Sequence, residues 1–81
     1  MKLEVYSIEK TLFDGEVKSI TLATTGGEIT VLDNHLPLIT IVKPGEIYYT
    51  DQQNKEDRLS LAGGILEVRP DSEAIILANT S

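Results

Sequence analysis

Turn-forming dipeptides punctuate this chain, and the residues between them alternate as β-strands do. Asp14-Gly15, Gly26-Gly27, Asp33-Asn34, Pro44-Gly45, Gly63-Gly64 and Pro70-Asp71 recur along 81 residues. Glycine and asparagine accept positive φ, and proline presets φ for a turn, so each pair marks a reversal. Between the marks, apolar and polar residues alternate. Leu3 and Val5 alternate with Lys2, Glu4 and Tyr6, and Ile20 and Leu22 with Ser19, Thr21 and Ala23. Ile29 and Val31 flank Thr30; Ile47 and Tyr49 alternate with Glu46 and Thr50; Leu59 and Leu61 flank Ser60. Leu66 and Val68 flank Glu67, and residues 74–78 end the pattern. A period of two puts one set of side chains on a core face.

No window keeps the three-to-four apolar spacing of an amphipathic helix. The polar run 51–58 has no apolar face to bury, and Asn54, Lys55, Glu56, Asp57 and Arg58 read as a solvated hairpin tip. The run 38–42 is nearly all apolar and β-branched, which predicts a strand buried on both faces. Val17 and Ile20 break the alternation and predict a bulge near Lys18. The fold class is all-β: a small two-sheet β-sandwich of about eight to ten short strands. Residues 1–81 read as a single domain.

Thirteen acidic residues against seven basic ones leave a net charge of −6. Such a domain is repelled by phosphate backbones and anionic lipid, which argues against nucleic-acid binding and direct docking on a membrane. The absence of cysteine excludes disulfides, thiolate metal sites and cysteine nucleophiles. Residues 1–6 lack the apolar run of a signal peptide, and the apolar stretch 36–42 is too short to span a bilayer. Membrane association is therefore expected through another protein, with no lipid insertion.

Residues that could carry catalysis do not assemble into a known pattern. No Gly-rich loop leads into Lys-Ser/Thr, and both glycine pairs sit between strands, away from any helix N-terminus. His35 is the only histidine. Asp33 and Thr40 lie near it in sequence, but Asp33-Asn34 reads as a turn whose side chains bond their own backbone. A lone histidine is a poor metal site. Glu56 and Asp57 are adjacent and point to opposite faces of a strand. Glu28 reads as a solvated strand-end charge. No catalytic, cofactor-binding or metal-binding residue is expected, and the residues alone give an acidic all-β binding module.

Five stretches add a resemblance. Leu12-Phe13-Asp14-Gly15-Glu16-Val17 resembles the start of the epsilon subunit of F-type ATP synthases, where a Phe-containing turn feeds the second strand. Residues 27–38, Gly-Glu-Ile-Thr-Val-Leu-Asp-Asn-His-Leu-Pro-Leu, are similar to that family's Gly-Glu/Asp-Leu-Gly-Val-Leu-Pro-Gly-His-Ala-Pro-Leu loop. Lys43-Pro44-Gly45-Glu46-Ile47 resembles its Lys-Pro-Gly-x-Ile turn. Residues 61–70 resemble its Ser-Gly-Gly-x-Leu-Glu-Val-x-Pro segment, and residues 76–80 the Leu-Ala-Asp-Thr that ends the sandwich. Asp33-Asn34 replaces Pro-Gly, Thr30 a glycine and Leu36 an alanine.

The resemblance implies a rotor subunit. The family's sandwich grips the gamma shaft with one face and touches the polar loops of the c-ring with one end. It couples proton- or sodium-driven rotation to ATP synthesis. Residue by residue, Glu28 and His35 match ring-facing positions, and Ser7, Thr40 and Ala62 match gamma-facing ones. The implied location is peripheral, on the cytoplasmic face of an energy-transducing membrane. Family members usually continue into a C-terminal helical hairpin that inhibits hydrolysis and, in some, binds ATP. With no such hairpin in these residues, coupling without inhibition and no ATP binding are expected. The competing expectation is a stand-alone all-β ligand- or protein-binding module.

Overall fold

The computed structural model describes residues 1–33 and 36–79. Among them run nine strands: β1 (Lys2–Tyr6), β2 (Thr11–Glu16), β3 (Ser19–Thr24), β4 (Gly27–Leu32), β5 (Leu38–Val42), β6 (Gly45–Thr50), β7 (Glu56–Leu61), β8 (Gly64–Arg69) and β9 (Glu73–Ala78). Pairing follows the order β2-β1-β9-β8-β5-β3-β6-β7, with β4 on the free side of β3. Only β1 and β9 run parallel. The link between β5 and β3 is the single pair Thr24–Val42. There the sheet folds over into two layers, β2-β1-β9-β8-β5 and β4-β3-β6-β7. Leu3, Leu66 and Ile76 from the first layer and Ile20, Leu22 and Ile47 from the second are fully buried in one apolar cluster. The two-sheet, all-β reading holds.

Each strand crosses from one end of the sandwich to the other, so its turns fall into two groups. One end carries residues 7–10, 25–26, 43–44, 62–63 and Asn79. The other carries Met1 and residues 17–18, 51–55 and 70–72, with Asp33 entering the β4–β5 connection. The first is called the glycine end here, because Gly26, Gly27, Gly45, Gly63 and Gly64 are all there. Two of these are dictated by structure. Gly27 closes the β3–β4 turn at φ +115°, a conformation that a side chain rarely tolerates. A Cβ at Gly64 would collide with the Leu77 carbonyl oxygen on β9. The buried Thr24 hydroxyl completes the β3–β4 turn, donating to Gly27 O at 2.7 Å and accepting from Gly26 N at 3.1 Å.

Three local expectations are corrected. Asp14-Gly15 is no turn: Phe13, Asp14 and Gly15 all lie inside β2, a strand the alternation did not reveal. The Phe13 ring folds over Gly15, where a Cβ would lie 3.2 Å from the ring. It also packs against Tyr49 of the other layer, ring centres 4.5 Å apart and planes tilted by 47°. Glycine here makes room for an aromatic clasp. Val17–Lys18 is no bulge but the corner between layers. Val17 exchanges backbone bonds with Met1 beside β1, while Lys18 N donates to Thr50 O of β6. The buried Val17 side chain plugs the corner. The ladder irregularity lies instead at Val5/Tyr6 opposite β2. Finally, β5 is not buried on both faces: Ile39 and Ile41 point to solvent.

Tyr49 makes the clasp testable. Burial, and then the Asp57 carboxylate opposite it on β7, raise its phenol above the ordinary 10.0. The folded chain therefore holds this proton to higher pH than the unfolded chain. Its contribution is fully present below about pH 10 and declines as pH rises through the folded value. Denaturant unfolding across that range should show an alkaline loss of stability that Tyr49→Phe reduces.

Candidate functional site

The two outer faces differ in chemistry, although strands of the same alternation build both. On the second layer the outward residues are mostly hydroxyls and paired charges. Thr21 and Thr30 share a hydrogen bond at 3.0 Å. Tyr48 OH donates to Glu46 at 3.3 Å, and Arg58 pairs with Glu46 at 3.3 Å. Such a face is at rest in water.

On the first layer an apolar row crosses four strands. In register, Ile41 of β5 lies beside Ile65 of β8, Ile65 beside Leu77 of β9, and Leu77 beside Tyr6 of β1. Ile41 is 57% exposed, Ile65 49% and Leu77 44%; Ile39, one step along β5, is 72% exposed. Ile8, in the β1–β2 turn at the glycine end, is almost wholly in solvent. A contiguous row of exposed aliphatic side chains on an acidic domain makes this face the candidate contact surface. Covering the exposed half of each is worth about 1 kcal/mol.

The residues singled out from sequence fall around this row. Ala62, half-buried in the β7–β8 turn, borders one hollow with Ile8 and Leu77, and a second, of about 250 Å³, with Ser7 and Asn79. The Ser7 hydroxyl is engaged within its own turn, accepting from Glu9 N and Lys10 N at 3.3 Å. Glu28 is exposed at the start of β4, opposite Ala23, also at the glycine end. Ser7, Glu28 and Ala62 thus share one end. Thr40 is half-buried on the core side of β5, paired with buried Leu66; its neighbours Ile39 and Ile41 take the outward positions. His35 lies outside the described residues. Asp33 stands at the opposite end from Glu28, its carboxylate 2.8 Å from the Met1 amine. Among the described residues no group of three His, Cys, Asp or Glu could hold a metal ion.

Reading the chain for motifs missed Ile39, Ile41, Ile65 and Leu77. A signal was available. Each occupies the off-phase position of a strand whose in-phase positions are already apolar: Leu38 and Val42, Leu66 and Val68, Ile76 and Ala78. In a domain with one core, the second apolar set faces outward.

If the row serves contact and not folding, Ile41→Thr with Ile65→Thr should change the unfolding free energy of the isolated domain by no more than about 1 kcal/mol. Leu66→Ala, on the core side, should cost about 2–5 kcal/mol. Urea denaturation compares the two directly.

Comparison with known proteins gives these features a context. A family model described as ATP synthase, delta/epsilon chain, beta-sandwich domain matches residues 1–81. The fold is similar to a chain in the cryo-EM structure of the Euglena gracilis mitochondrial ATP synthase, OSCP/F1/c-ring in rotational state 1. The TM-score is 0.86 at 26% identity, over 96% of this chain and 48% of that one. A chain in the Tetrahymena thermophila mitochondrial ATP synthase central stalk and c-ring shares the fold, with a TM-score of 0.79 at 19% identity, over 99% and 63%. The chain spans about half the length of the first and less than two thirds of the second.

Proposed function

The chain belongs to the family of ATP synthase delta and epsilon chain β-sandwich domains, and from that premise we propose that it is a non-catalytic subunit of the central stalk. It binds the gamma shaft through the outer face of β5, β8, β9 and β1, and meets the polar loops of the c-ring with its glycine end. It thereby couples proton- or sodium-driven rotation to ATP synthesis elsewhere. The observation that carries this reading is the apolar row Ile41–Ile65–Leu77–Tyr6, present on one outer face and absent from the other.

A rotor part has to transmit torque without deforming. Interlayer packing and nearly continuous backbone ladders supply stiffness, because close-packed cores resist strain. Ala62 adjoins the row where a small side chain allows close approach, and Ser7 shapes the neighbouring turn. Thr40 acts from the core side of the strand that presents Ile39 and Ile41. Glu28, exposed beside a tight turn, faces the ring and pairs there with an arginine or asparagine. His35 has only its motif to place it with Glu28, and it belongs to the β4–β5 connection, which is entered at Asp33, at the end away from Glu28; the ring contact is given to Glu28 alone. Attachment to the membrane is peripheral, on the cytoplasmic face, and runs through the ring, in keeping with a net charge of −6.

Two measurements test this reading. Mixed with the gamma subunit of the same source at tens of micromolar, the chain should elute in size-exclusion chromatography with light scattering as a one-to-one complex. Separate elution would overturn the shaft assignment. In the assembled enzyme, Glu28→Lys should weaken ATP-driven ion pumping; pumping at the wild-type rate would remove Glu28 from the ring contact.

A further inference from the structure

Among the described residues, β2, β4 and β7 each have a paired neighbour on one side only. An open edge is a template for another strand unless charges or proline guard it. Two of the three are guarded. β2 carries Asp14 and Glu16, and β7 carries Glu56, Asp57 and Arg58. β5, which meets β3 only through Val42, is flanked by Pro37 and Pro44. β4 reads Gly-Glu-Ile-Thr-Val-Leu, with no proline and no charge beyond Glu28 near its start.

Register shows which groups the open edge of β4 presents. The β3–β4 hairpin closes on Thr24–Gly27 across two residues, and bonded pairs then recur at Leu22–Ile29 and Ile20–Val31. Lys43 N donates to Ala23 O on the far side of β3, as that alternation requires. Glu28, Thr30 and Leu32 therefore turn their N–H and C=O groups away from β3, where no other described strand pairs with them. Their side chains are exposed, Leu32 by 56%, and Ile29 between them is only partly buried against the core.

The segment is complementary to itself. Two copies placed antiparallel about a twofold axis at Thr30 set Thr30 against Thr30, and Glu28 against Leu32 of the second copy. Every backbone group that these residues leave open then gains a partner. The inner faces stay aligned, because Ile29 comes opposite Val31 of the second copy and carries the core across the joint. The Thr21–Thr30 hydroxyl pair, 3.0 Å apart, extends into a cross-strand row over both copies. The two Glu28 residues stand about 14 Å apart along the strands, farther than a Debye length in ordinary salt.

We propose that the occupant of this edge is a second copy of the chain, so that the free domain forms a twofold dimer through β4. The joint stands on the edge geometry and does not depend on the stalk reading. Glu28 belongs to the paired segment, so the dimer and the ring contact proposed above exclude each other, and the dimer is a form of the unassembled chain. Each copy carries a net charge of −6. Repulsion opposes association, and salt that screens it strengthens the dimer. An interface one strand wide associates in the micromolar to millimolar range.

Sedimentation equilibrium of the full chain, from about 10 μM to about 1 mM, tests this for wild type, Thr30→Pro, Thr30→Lys and Ser60→Lys. Wild type should pass from one copy toward two, and at lower concentration in high salt than in low. Proline at position 30 removes an N–H that points to the open edge and breaks no internal bond. Lysine sets like charges against each other across the axis. Both variants should weaken dimerisation at least about tenfold with the circular dichroism of wild type. Where proline disturbs the fold, Thr30→Lys carries the test. Ser60→Lys, the same change of charge on the β7 edge, should associate as wild type does. A wild-type chain that stays monomeric throughout overturns the proposal. So does a dimer that the folded Thr30 variants leave intact, or one that Ser60→Lys disrupts as strongly. None of these results bears on the one-to-one complex with the gamma subunit, which is measured separately.

Discussion

The contact between the two inner faces decides what every other residue is free to do. Leu3, Leu66 and Ile76 on one layer meet Ile20, Leu22 and Ile47 on the other, and a chain of 81 residues has room for one such core. Because side chains alternate, each strand that supplies this core also supplies an outer surface of equal length. The second layer gives that surface mainly to hydroxyls and charges, with Leu32 its one strongly exposed aliphatic side chain among the described residues. The first layer spends part of it on aliphatic side chains that the core cannot reach. The domain is thus complete on its inside and incomplete on one outside face.

The geometry of closure adds a direction to that face. The layers are joined at Thr24–Val42, at the Val17–Lys18 corner and through the Phe13–Tyr49 clasp. Turns at the glycine end are tight because backbone passes close to backbone, as at Gly64 against Leu77. The apolar row lies near this end, and the charges of Lys2, Glu16, Arg69 and Glu73 lie toward the other. One end therefore offers short turns and small side chains, suited to close approach, and the other a neutralised, solvated surface. The proposed shaft contact uses that face and leaves the end free for the proposed ring contact.

Much of this was legible in the sequence, and the exceptions have physical causes. Alternation located eight of the strands, and five of the six dipeptides lie at or beside strand connections. β2 was hidden because Asp14-Gly15 imitates a turn. Its glycine answers to the Phe13 ring, which local pattern does not encode. Val17 looked like a slipped residue because a corner between layers and a bulge both add a step to the alternation. The largest error concerned β5. A continuous apolar strand reads as doubly buried when the domain is assumed to be the whole burial unit, yet Ile39 and Ile41 of Leu38–Val42 face outward. The chemistry of the resemblance pointed to Ser7, Glu28, Thr40 and Ala62, and to His35, which lies outside the described residues. The structure brings Ser7, Glu28 and Ala62 to one end and turns Thr40 to the core side. The exposed isoleucines beside Thr40 lay outside the motif reading, because polar positions attract attention as sites and aliphatic ones are credited to the core.

The chain contains no cysteine, so a single introduced thiol can report on one face at a time. Ile65→Cys would place it in the apolar row, and Thr30→Cys on the hydroxyl face of the other layer. Alkylation rates of both variants, free and assembled in the complete ATP synthase, test most directly whether the stalk covers the apolar face. Strong protection of position 65 on assembly, with position 30 reacting as fast as in the free domain, is the expected result. Protection of position 30 with position 65 still reactive would show that the domain is held by its other face.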